Sequence, residues 1–477
     1  MVQAIYNMKI GLFGIGLDTY WDQFEGLEER LESYLKIVEQ KIGSIHSNII
    51  NAGLVDNIDK AFETGKLFKT EDVDVIFLYV TTYALSSTVL PVVQKAKVPV
   101  IILNLSPAAA IAYDAFNATT DRTKMTGEWL SFCNACPVPE IANVFNRTNI
   151  SFHQITGTLH DEATWNEIKD WIEAANVKHI MQYNRLGCMG HYYSGMLDVY
   201  TDLTQQYATF GGHIELLEVE ELASLRKEVT IDAMKARLKY FYEVFDIQKD
   251  CSSEELEKAA ITSVALDDLV EKYKLGSLAY YYKGVGNLEN EETIASIIPG
   301  NSLLTARGIP VAGEYEIKNV QAMKIMDSFG SGGSFTEYYA MDFNDDVVLM
   351  GHDGPGHIAI AEGKAKVRPL QVYHGKVGKG VSVEMSVKKG PVTLLSVVDK
   401  KDGTLMLLVA EAESVDGPIL QIGNTNSRYK FSIGAKRFVN QWSSYGPAHH
   451  CAVGVGHIYS KIEKLGKLLN IQVVKVC

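Results

Sequence analysis

The sequence predicts an α/β protein of three domains: a Rossmann-like N-terminal domain, an α/β middle domain and a C-terminal antiparallel β-barrel domain. The chain has 477 residues, which is more than one domain at roughly 150 residues per domain. Up to about residue 330, short β-branched runs alternate with helical patterns, and after it closely spaced strand patterns predominate. We place the domains at residues 1–175, 176–330 and 331–477.

The N-terminal domain begins with a strand that leads into a helix. Residues 9–14 are a short apolar run with glycines, and apolar residues then recur every three or four positions from Phe24 to Ile42, as on one face of a helix. Residues 73–80 and 98–103 are nearly continuous apolar runs, which are typical of strands buried on both faces. This repeated strand–helix unit predicts a parallel, doubly wound sheet.

The middle domain repeats the alternation with longer and more charged helices. It begins near residues 177–183, and strand patterns follow at 213–217 and 277–282. Amphipathic spacing predicts helices at 196–210, 231–245, 253–275 and 315–326. The pattern favours a second layered α/β arrangement.

The C-terminal domain changes to antiparallel β-structure. Strand patterns cover residues 381–387, 392–398, 404–410 and 429–433, with glycine turns between several of them. Short alternating strands joined by tight turns are typical of a barrel or a sandwich. A helix over 458–469 and a strand over 471–476 complete the domain.

Composition excludes several classes of partner. Lys and Arg number 45 against 58 for Asp and Glu, a net charge of -13, which disfavours nucleic acid and anionic membranes as partners. No segment approaches the roughly 20 apolar residues of a membrane span, and the first residues lack the basic region of a signal peptide. Six cysteines are too few for a disulfide framework. We therefore expect a soluble, cytoplasmic enzyme that acts on small molecules.

The first strand is followed by part of a dinucleotide-binding pattern. Gly14 and Gly16 fit it, but Thr19 stands where the third glycine belongs. This favours a tight turn rather than a nucleotide-binding loop. The next loop lies at the carboxyl end of the strand, where ligands of open α/β sheets bind. Its residues Asp18 and Tyr20 are candidate sugar contacts, although Asp18 or Thr19 serves equally well as a helix N-cap.

Cys133 and Cys136 form a CxxC motif. A zinc site would need a second such pair at a suitable spacing, and the sequence has none. The motif also does not follow a first strand, as a thioredoxin-like redox motif would. We interpret the two residues as structural cysteines.

Glutamates and histidines in small-residue loops form the main candidate site. Glu314 follows a strand pattern, and Glu337 follows a glycine loop. Two histidines, His352 and His357, bracket a short Asp-Gly-Pro-Gly segment, and the pair His449-His450 lies near the end of the chain. Carboxylate and imidazole ligands together suit a divalent metal, although each of these residues taken alone is more often an ordinary surface or core group.

Taken together, these segments resemble the L-arabinose isomerase family, within the arabinose/fucose isomerase superfamily. The resemblance covers most of the chain. Its strongest segments are Gly313-Glu314, Gly333-Ser-Phe-Thr-Glu-Tyr-Tyr339, Val348-Leu-Met-Gly-His352 and Gly446-Pro-Ala-His-His450, with Arg185-Leu-Gly187 and Met196 in the middle domain.

The resemblance implies a fold, an activity and a set of site residues. It implies the same three domains and reversible aldose–ketose isomerisation with Mn²⁺ or a similar divalent ion, in trimers or hexamers. The implied metal ligands are Glu314, Glu337, His352 and His450, and the two glutamates are also the implied catalytic residues. Met196 and Tyr339 are implied substrate contacts, and His449 is implied as a contact either of a metal ligand or of the substrate. His357 is a further candidate substrate contact that the family pattern does not supply.

Several segments depart from the family pattern. The hydrophobic segment that follows the loop histidine in the family is replaced by residues 353–357, and the N-terminal family segment is replaced by residues 16–21. His357 therefore competes with His352 as the third ligand. The metal-binding residues are kept while the sugar-reading residues differ, so the sequence predicts the isomerase chemistry more firmly than the sugar.

The expected reaction is proton transfer between C1 and C2 of an open-chain sugar through a cis-enediol, with a carboxylate as the base. Two other functions fit the same residues. A pair of carboxylates also serves glycoside hydrolases or epimerases. The two α/β domains alone would suit a non-catalytic sugar-binding sensor, which leaves the Glu and His residues without a role.

Overall fold

The computed structural model of the protein describes residues 7–284, 286–370 and 379–477. The described residues divide into two compact units, one ending at His179 and the other running from Ile180 to Cys477. Within the described ranges, no helix combines the length and the apolar character that crossing a bilayer requires.

The N-terminal unit contains a five-stranded parallel sheet in the order β2-β1-β3-β4-β5, a doubly wound arrangement. Every residue of the strands β1 and β3 is buried, as the continuous apolar runs predict. Leu31, Leu35 and Val38 form part of the buried face of the first helix. The strands are β1 (Ile10–Ile15), β2 (Ile49–Val55), β3 (Val75–Tyr79), β4 (Val100–Ser106) and β5 (Phe152–Thr158).

Seven helices belong to this part of the described chain. They are α1 (Leu27–Ile45), α2 (Ile58–Thr70), α3 (Leu90–Ala96), α4 (Tyr113–Ala118), α5 (Arg122–Leu130), α6 (Val138–Arg147) and α7 (Glu162–Tyr183). Cys133 and Cys136 lie between α5 and α6 and are joined by a disulfide. The sequence predicts two structural cysteines and no disulfide framework, and in the structure these two are paired.

The helix α7 differs from the sequence prediction, which began a new α/β segment at residues 177–183. Buried side chains recur at Thr164, Ile168, Ile172, Ala175 and His179, a helical spacing of three or four that continues through the expected start. The next strand begins only at Arg185, after Asn184, whose side chain donates a hydrogen bond to Ser277 Oγ at 2.8 Å.

The first part of the second unit contains a four-stranded parallel sheet in the order β10-β9-β6-β7. The predicted helix over 196–210 is a short 3-10 turn, Leu197–Val199, and a separate helix α8. The strands are β6 (Arg185–Gly190), β7 (His213–Leu217), β9 (Ser277–Tyr281) and β10 (Val311–Ala312). The helices are α8 (Leu203–Phe210), α9 (Val219–Glu228), α10 (Ile231–Val244), α11 (Ser253–Tyr273), α12 (Leu288–Ala295), α13 (Ile298–Ala306) and α14 (Ile317–Ser328).

Six antiparallel strands close into a barrel in the C-terminal part of the chain. Their order is β15-β18-β11-β12-β17-β16, and β16 pairs back with β15. The helix α14, with Ile317 to Met326 all buried, packs against β15 and β18. The barrel strands are β11 (Ser334–Asp342), β12 (Val347–His352), β15 (Gly390–Asp399), β16 (Leu405–Val415), β17 (Thr425–Phe431) and β18 (His450–Val455). The predicted β-barrel is therefore confirmed.

A separate small sheet contains one strand that we expected in the barrel. The strand β14 (Val381–Glu384) pairs with β13 (Lys366–Pro369), which pairs in turn with β8 (Asp246–Ile247). The segment 381–387 is typical of a strand in sequence, but its partner β13 pairs on its other side with β8, which lies far away along the chain. The remaining elements are α15 (Ala435–Ser444), α16 (Tyr459–Leu469) and β19 (Gln472–Lys475), which pairs in parallel with β16.

Candidate metal centre

Three of the candidate residues meet at one end of neighbouring barrel strands. Glu337 on β11 lies opposite His450 on β18 and opposite Gly351 on β12. His352 follows Gly351 as the last residue of β12. Directly opposite residues of antiparallel strands hold their Cβ atoms roughly 5 Å apart, so the strand register brings Glu337 and His450 together. The ring centroid of His352, at the end of β12, lies 5.2 Å from that of His450.

Glu314 reaches the same place from the turn after β10. Its φ is 57° and that of Tyr315 is 60°, so two consecutive residues with side chains adopt the left-handed conformation that favours glycine. The turn is held by hydrogen bonds from Tyr315 N to Tyr280 O at 3.0 Å and from Glu316 N to Gly313 O at 3.0 Å. Backbone of this kind persists where the surrounding structure enforces it and is frequent at functional sites.

The carboxylates and imidazoles form one connected cluster. The Glu314 carboxylate lies 3.4 Å from His450 Nε2, 3.8 Å from His449 Nε2 and 3.9 Å from His352 Nε2. Glu337 Oε2 lies 3.9 Å from His449 Nε2. We call these five residues the Glu/His cluster.

Within the described residues, Glu314, His449 and His450 form a group compact enough for one metal ion, with one ligand atom from each within 4.8 Å of the others. Ligand atoms around a single ion lie at most about 4.4 Å apart, because each is about 2.0–2.2 Å from the ion. Movements of less than about 1 Å would therefore complete the site, so the residues present fit a divalent cation. The resemblance implies His449 as a contact either of a metal ligand or of the substrate, and here it lies among the candidate ligands.

His450 has the protonation state that a metal ligand requires. Burial lowers its pKa well below the usual 6.5, and the neighbouring His352 and His449 lower the pKa further. The ring therefore stays neutral at physiological pH and can offer a lone pair to a cation. In the described structure neither ring nitrogen of His450 has a hydrogen-bond partner.

Phe335 forms an apolar wall beside the imidazoles. Its ring centroid lies 4.4 Å from that of His352 and 4.3 Å from that of His450, and the residue is buried. Such a wall excludes water and strengthens electrostatic interactions within the site.

Glu316 lies behind His450 and was not singled out from the sequence. Its Oε2 is 3.6 Å from His450 Nδ1, on the side of the ring away from Glu314. Burial raises the pKa of the Glu316 carboxyl to about 8, against an opposing effect of Lys318. Carboxylates behind metal-ligating histidines commonly orient the ring, and the spacing of two residues from Glu314 was the only available signal in the sequence.

Asp198 is a second residue that the sequence analysis missed. It lies in the 3-10 turn just after the predicted substrate contact Met196. Its carboxylate Oδ2 lies 2.6 Å from His449 Nδ1 and accepts a hydrogen bond from His449 N at 3.0 Å. The hydrogen bonds from His449 lower the pKa of the Asp198 carboxyl, although partial burial acts in the opposite direction.

Tyr339 and His357 lie near the cluster in different ways. Tyr339 occupies the irregular position in the pairing of β11 with β12, and its hydroxyl accepts a hydrogen bond from Asn424 Nδ2 at 3.4 Å. His357 is buried, and its Nε2 lies 3.5 Å from Asp327 Oδ1 on α14. His352, which contacts Glu314, is therefore better placed than His357 to belong to the metal site.

The two predicted contacts of the first domain belong to the other compact unit. Asp18 and Tyr20 lie in a 3-10 turn that follows β1. Asp18 N donates to Asp56 O at 3.2 Å, and the ring of Tyr20 contacts the rings of Trp21 and Phe24. Their role as sugar contacts stays a prediction.

The second compact unit contains a cleft of about 750 Å³. Asn424, the hydrogen-bond partner of Tyr339, lines it, and so does Asp353, which follows His352 in sequence. Charged groups on the other walls include Lys366, Arg368 and Glu384. Its volume is within the range of small-molecule sites.

Comparison with known proteins bears on the barrel part of the chain. A search of curated proteins gives no match. Four residues of the Glu/His cluster lie in the region that a family model covers, and Glu314 precedes that region. Residues 332–472 of this chain match the family model of the L-arabinose isomerase C-terminal domain.

Proposed function

We propose that this protein is a metal-dependent isomerase that interconverts an aldose and a ketose. The substrate is a free sugar, L-arabinose or a related aldose. The observation that carries the proposal is the approach of Glu314 and Glu337 to the same atom, His449 Nε2, at 3.8 and 3.9 Å. Two carboxylates beside imidazole ligands offer both a cation site and a base for C–H proton transfer.

Glu314, His449 and His450 would hold the cation, with Glu337 and His352 at its edge. When bound, a divalent cation, for which Mn²⁺ is our choice, would stabilise negative charge on the C1 and C2 oxygens of the sugar. The mixed oxygen and nitrogen donor set supports such an ion.

The chain's own groups then carry out the proton transfer. One of the two glutamates takes the proton from C2 of the open-chain aldose, while the C1 carbonyl oxygen takes a proton from solvent, and a cis-enediol forms. The carboxyl group returns its proton to C1, while the O2 hydroxyl gives its proton to solvent and becomes the ketose carbonyl. The reaction needs no oxidant or reductant, and Phe335 packs against the neighbouring imidazoles of His352 and His450.

The remaining predicted contacts are part of this proposal. Tyr339 lies two residues after Glu337 on β11, and its partner Asn424 lines the cleft, which supports a sugar-binding role for Tyr339. Met196 is proposed to contact the sugar because it adjoins Asp198 in sequence and Asp198 contacts His449. We also propose a homo-oligomer, a trimer or a hexamer, which native mass spectrometry of the purified protein would detect.

Replacing each glutamate by glutamine tests the proposed function. We expect Glu314→Gln and Glu337→Gln each to lower turnover by at least about 100-fold, because the amide cannot act as the base. The assay is ketose formation from a panel of aldoses at saturating Mn²⁺, with circular dichroism as the check on folding. Glu463→Gln on α16 is the control, since its partner is Lys467.

Two outcomes would contradict the proposal. A folded Glu314 or Glu337 variant that keeps more than a tenth of wild-type turnover would show that the carboxylate is not the base. Release of aglycone from aryl glycosides, without ketose formation from any aldose, would identify a hydrolase instead.

A further inference from the structure

Asp198 makes two contacts with a single residue of the Glu/His cluster. Its Oδ2 is 2.6 Å from His449 Nδ1 and accepts from His449 N at 3.0 Å. The two residues are 251 positions apart in sequence. The paired contacts fix both the ring and the backbone of His449 against one carboxylate.

The turn that carries Asp198 is itself anchored. Lys318 on α14 donates from Nζ to the backbone oxygen of Asp198 at 2.5 Å. Lys318 is buried and pairs with Asp399 Oδ2 at 3.1 Å. Thr201, three residues after Asp198, donates to Asp399 Oδ1 at 3.0 Å. Asp198 is therefore held from two sides, although its carboxylate is partly exposed.

The contact determines which nitrogen of His449 carries the proton. An ionised carboxylate only accepts hydrogen bonds, so Nδ1 must be the donor. In the neutral ring Nε2 then has the lone pair. This is the atom that lies 3.8 Å from Glu314 Oε2 and 3.9 Å from Glu337 Oε2, on the side where the cation would bind.

We propose that Asp198 is a positioning residue that holds His449 in the Nδ1–H tautomer, with the Nε2 lone pair directed at the Glu/His cluster. A carboxylate bound to the far nitrogen of a metal-ligating imidazole orients the ring and increases its basicity. The inference rests on the proposed metal site, but the tautomer is a property of the metal-free chain and can be measured without sugar.

Nitrogen NMR of the metal-free full chain with ¹⁵N-labelled histidine tests this inference. The His449 signals are assigned by their loss in His449→Gln. In the neutral ring we expect a protonated Nδ1 and an unprotonated Nε2 in the wild type, and a substantial share of the Nε2–H tautomer in Asp198→Ala. Asp202→Asn is the matched control: Asp202 caps α8 through the amides of Thr204 and Gln205, and asparagine caps equally well.

Metal affinity gives an independent measurement. We expect Asp198→Ala to weaken Mn²⁺ binding about 10- to 100-fold and Asp198→Glu to recover part of the lost affinity. Electron paramagnetic resonance of the free Mn²⁺ ion measures the affinity of each variant. If the alanine variant does not fold, Asp198→Asn serves, and its amide is expected to give a mixture of tautomers.

A wild-type His449 with its proton on Nε2 would overturn the inference. So would an Asp198→Ala protein with the wild-type tautomer or with unchanged Mn²⁺ affinity. If the tautomer and affinity results agree with the expectation while no sugar is isomerised, the positioning role stands and the proposed function fails.

Discussion

His450 combines the two properties that a buried metal ligand needs, a neutral ring and a fixed direction. Burial and two neighbouring histidines lower its pKa, and Phe335 packs on its ring at 4.3 Å. Glu314 lies on the Nε2 side and Glu316 on the Nδ1 side. The residue therefore presents Nε2 to the cluster without a change of rotamer.

Removing this imidazole should remove most of the metal affinity. We expect His450→Ala to weaken Mn²⁺ binding by at least about 100-fold, more than the loss of an outer-shell partner. His457→Ala is the control, because His457 is partly exposed and contacts Ala412 O and Glu413 instead. Isothermal titration with Mn²⁺ measures both variants, and wild-type affinity in His450→Ala would exclude His450 as a ligand.

Lys324 lies outside the Glu/His cluster, and its burial predicts how the stability of the protein depends on pH. Burial lowers its pKa from 10.5, and Asp327 offsets part of that effect. Between the lowered pKa and about 10.5 the unfolded chain binds more protons, so stability rises with pH in this window.

We expect Lys324→Met to lack that rise. The difference in Tm between variant and wild type should therefore fall steadily from pH 8 to 10.5, as measured by thermal denaturation of the metal-free protein. Lys467→Met on the exposed face of α16 is the control and should give a constant difference. A constant difference for Lys324→Met would contradict a lowered pKa of the buried lysine.

At the residue scale, short sequence motifs identify the residues of the Glu/His cluster but not the residues that hold them in place. Glu314, Glu337, His352 and His450 stand in segments whose order resembles a known family, so the sequence points to them. Asp198 and Glu316 stand in no such motif. Their roles depend on contacts made by the folded chain, such as the pairing of Asp198 with a histidine 251 positions away, which local patterns do not encode.

Strand register is the element-scale feature that builds the site. Gly351 lies opposite Glu337 and directly precedes His352. A Cβ atom at Gly351 would lie 1.9 Å from Thr425 O and 2.8 Å from Asn426 Cα, which are both backbone atoms of β17. The close approach of β12 and β17 at this point therefore requires glycine.

We expect Gly351→Ala to force β12 and β17 apart, with a loss of about 1–3 kcal/mol in the free energy of unfolding and weaker Mn²⁺ binding through displacement of His352. Chemical denaturation and metal titration measure the two effects. Gly43→Ala in α1 is the control, since the nearest atom would be 3.7 Å away and alanine favours helix by up to about 1 kcal/mol. Unchanged stability of Gly351→Ala would contradict the packing argument.

The sequence predicts the elements better than their pairing. The strand at 213–217 is confirmed with its bounds, and the buried run at 277–282 is confirmed to within one residue, because an apolar run between charged helices is a local signal. The assignment of β14 to a small separate sheet depends on partners at Lys366–Pro369 and Asp246–Ile247. Nothing within its own residues distinguishes it from a barrel strand.

At the scale of the whole molecule, the site belongs to one compact unit. All five residues of the Glu/His cluster, together with Asp198 and Glu316, lie between Ile180 and Cys477. The barrel supplies Glu337, His352 and His450, the turn after β10 supplies Glu314, and the loop after β6 supplies Asp198. A catalytic site assembled from several segments can change its substrate by loop variation while it keeps its chemistry.

The proposed isomerase must move a proton between two carbons of a sugar when a divalent cation is bound. The direct measurement is NMR of an aldose panel incubated in D₂O with the chelator-treated protein, with and without added Mn²⁺. We predict ketose formation, with deuterium at C1 or C2, only when Mn²⁺ is present. Absence of ketose from every aldose at full metal occupancy, or equal turnover without metal, would contradict the account.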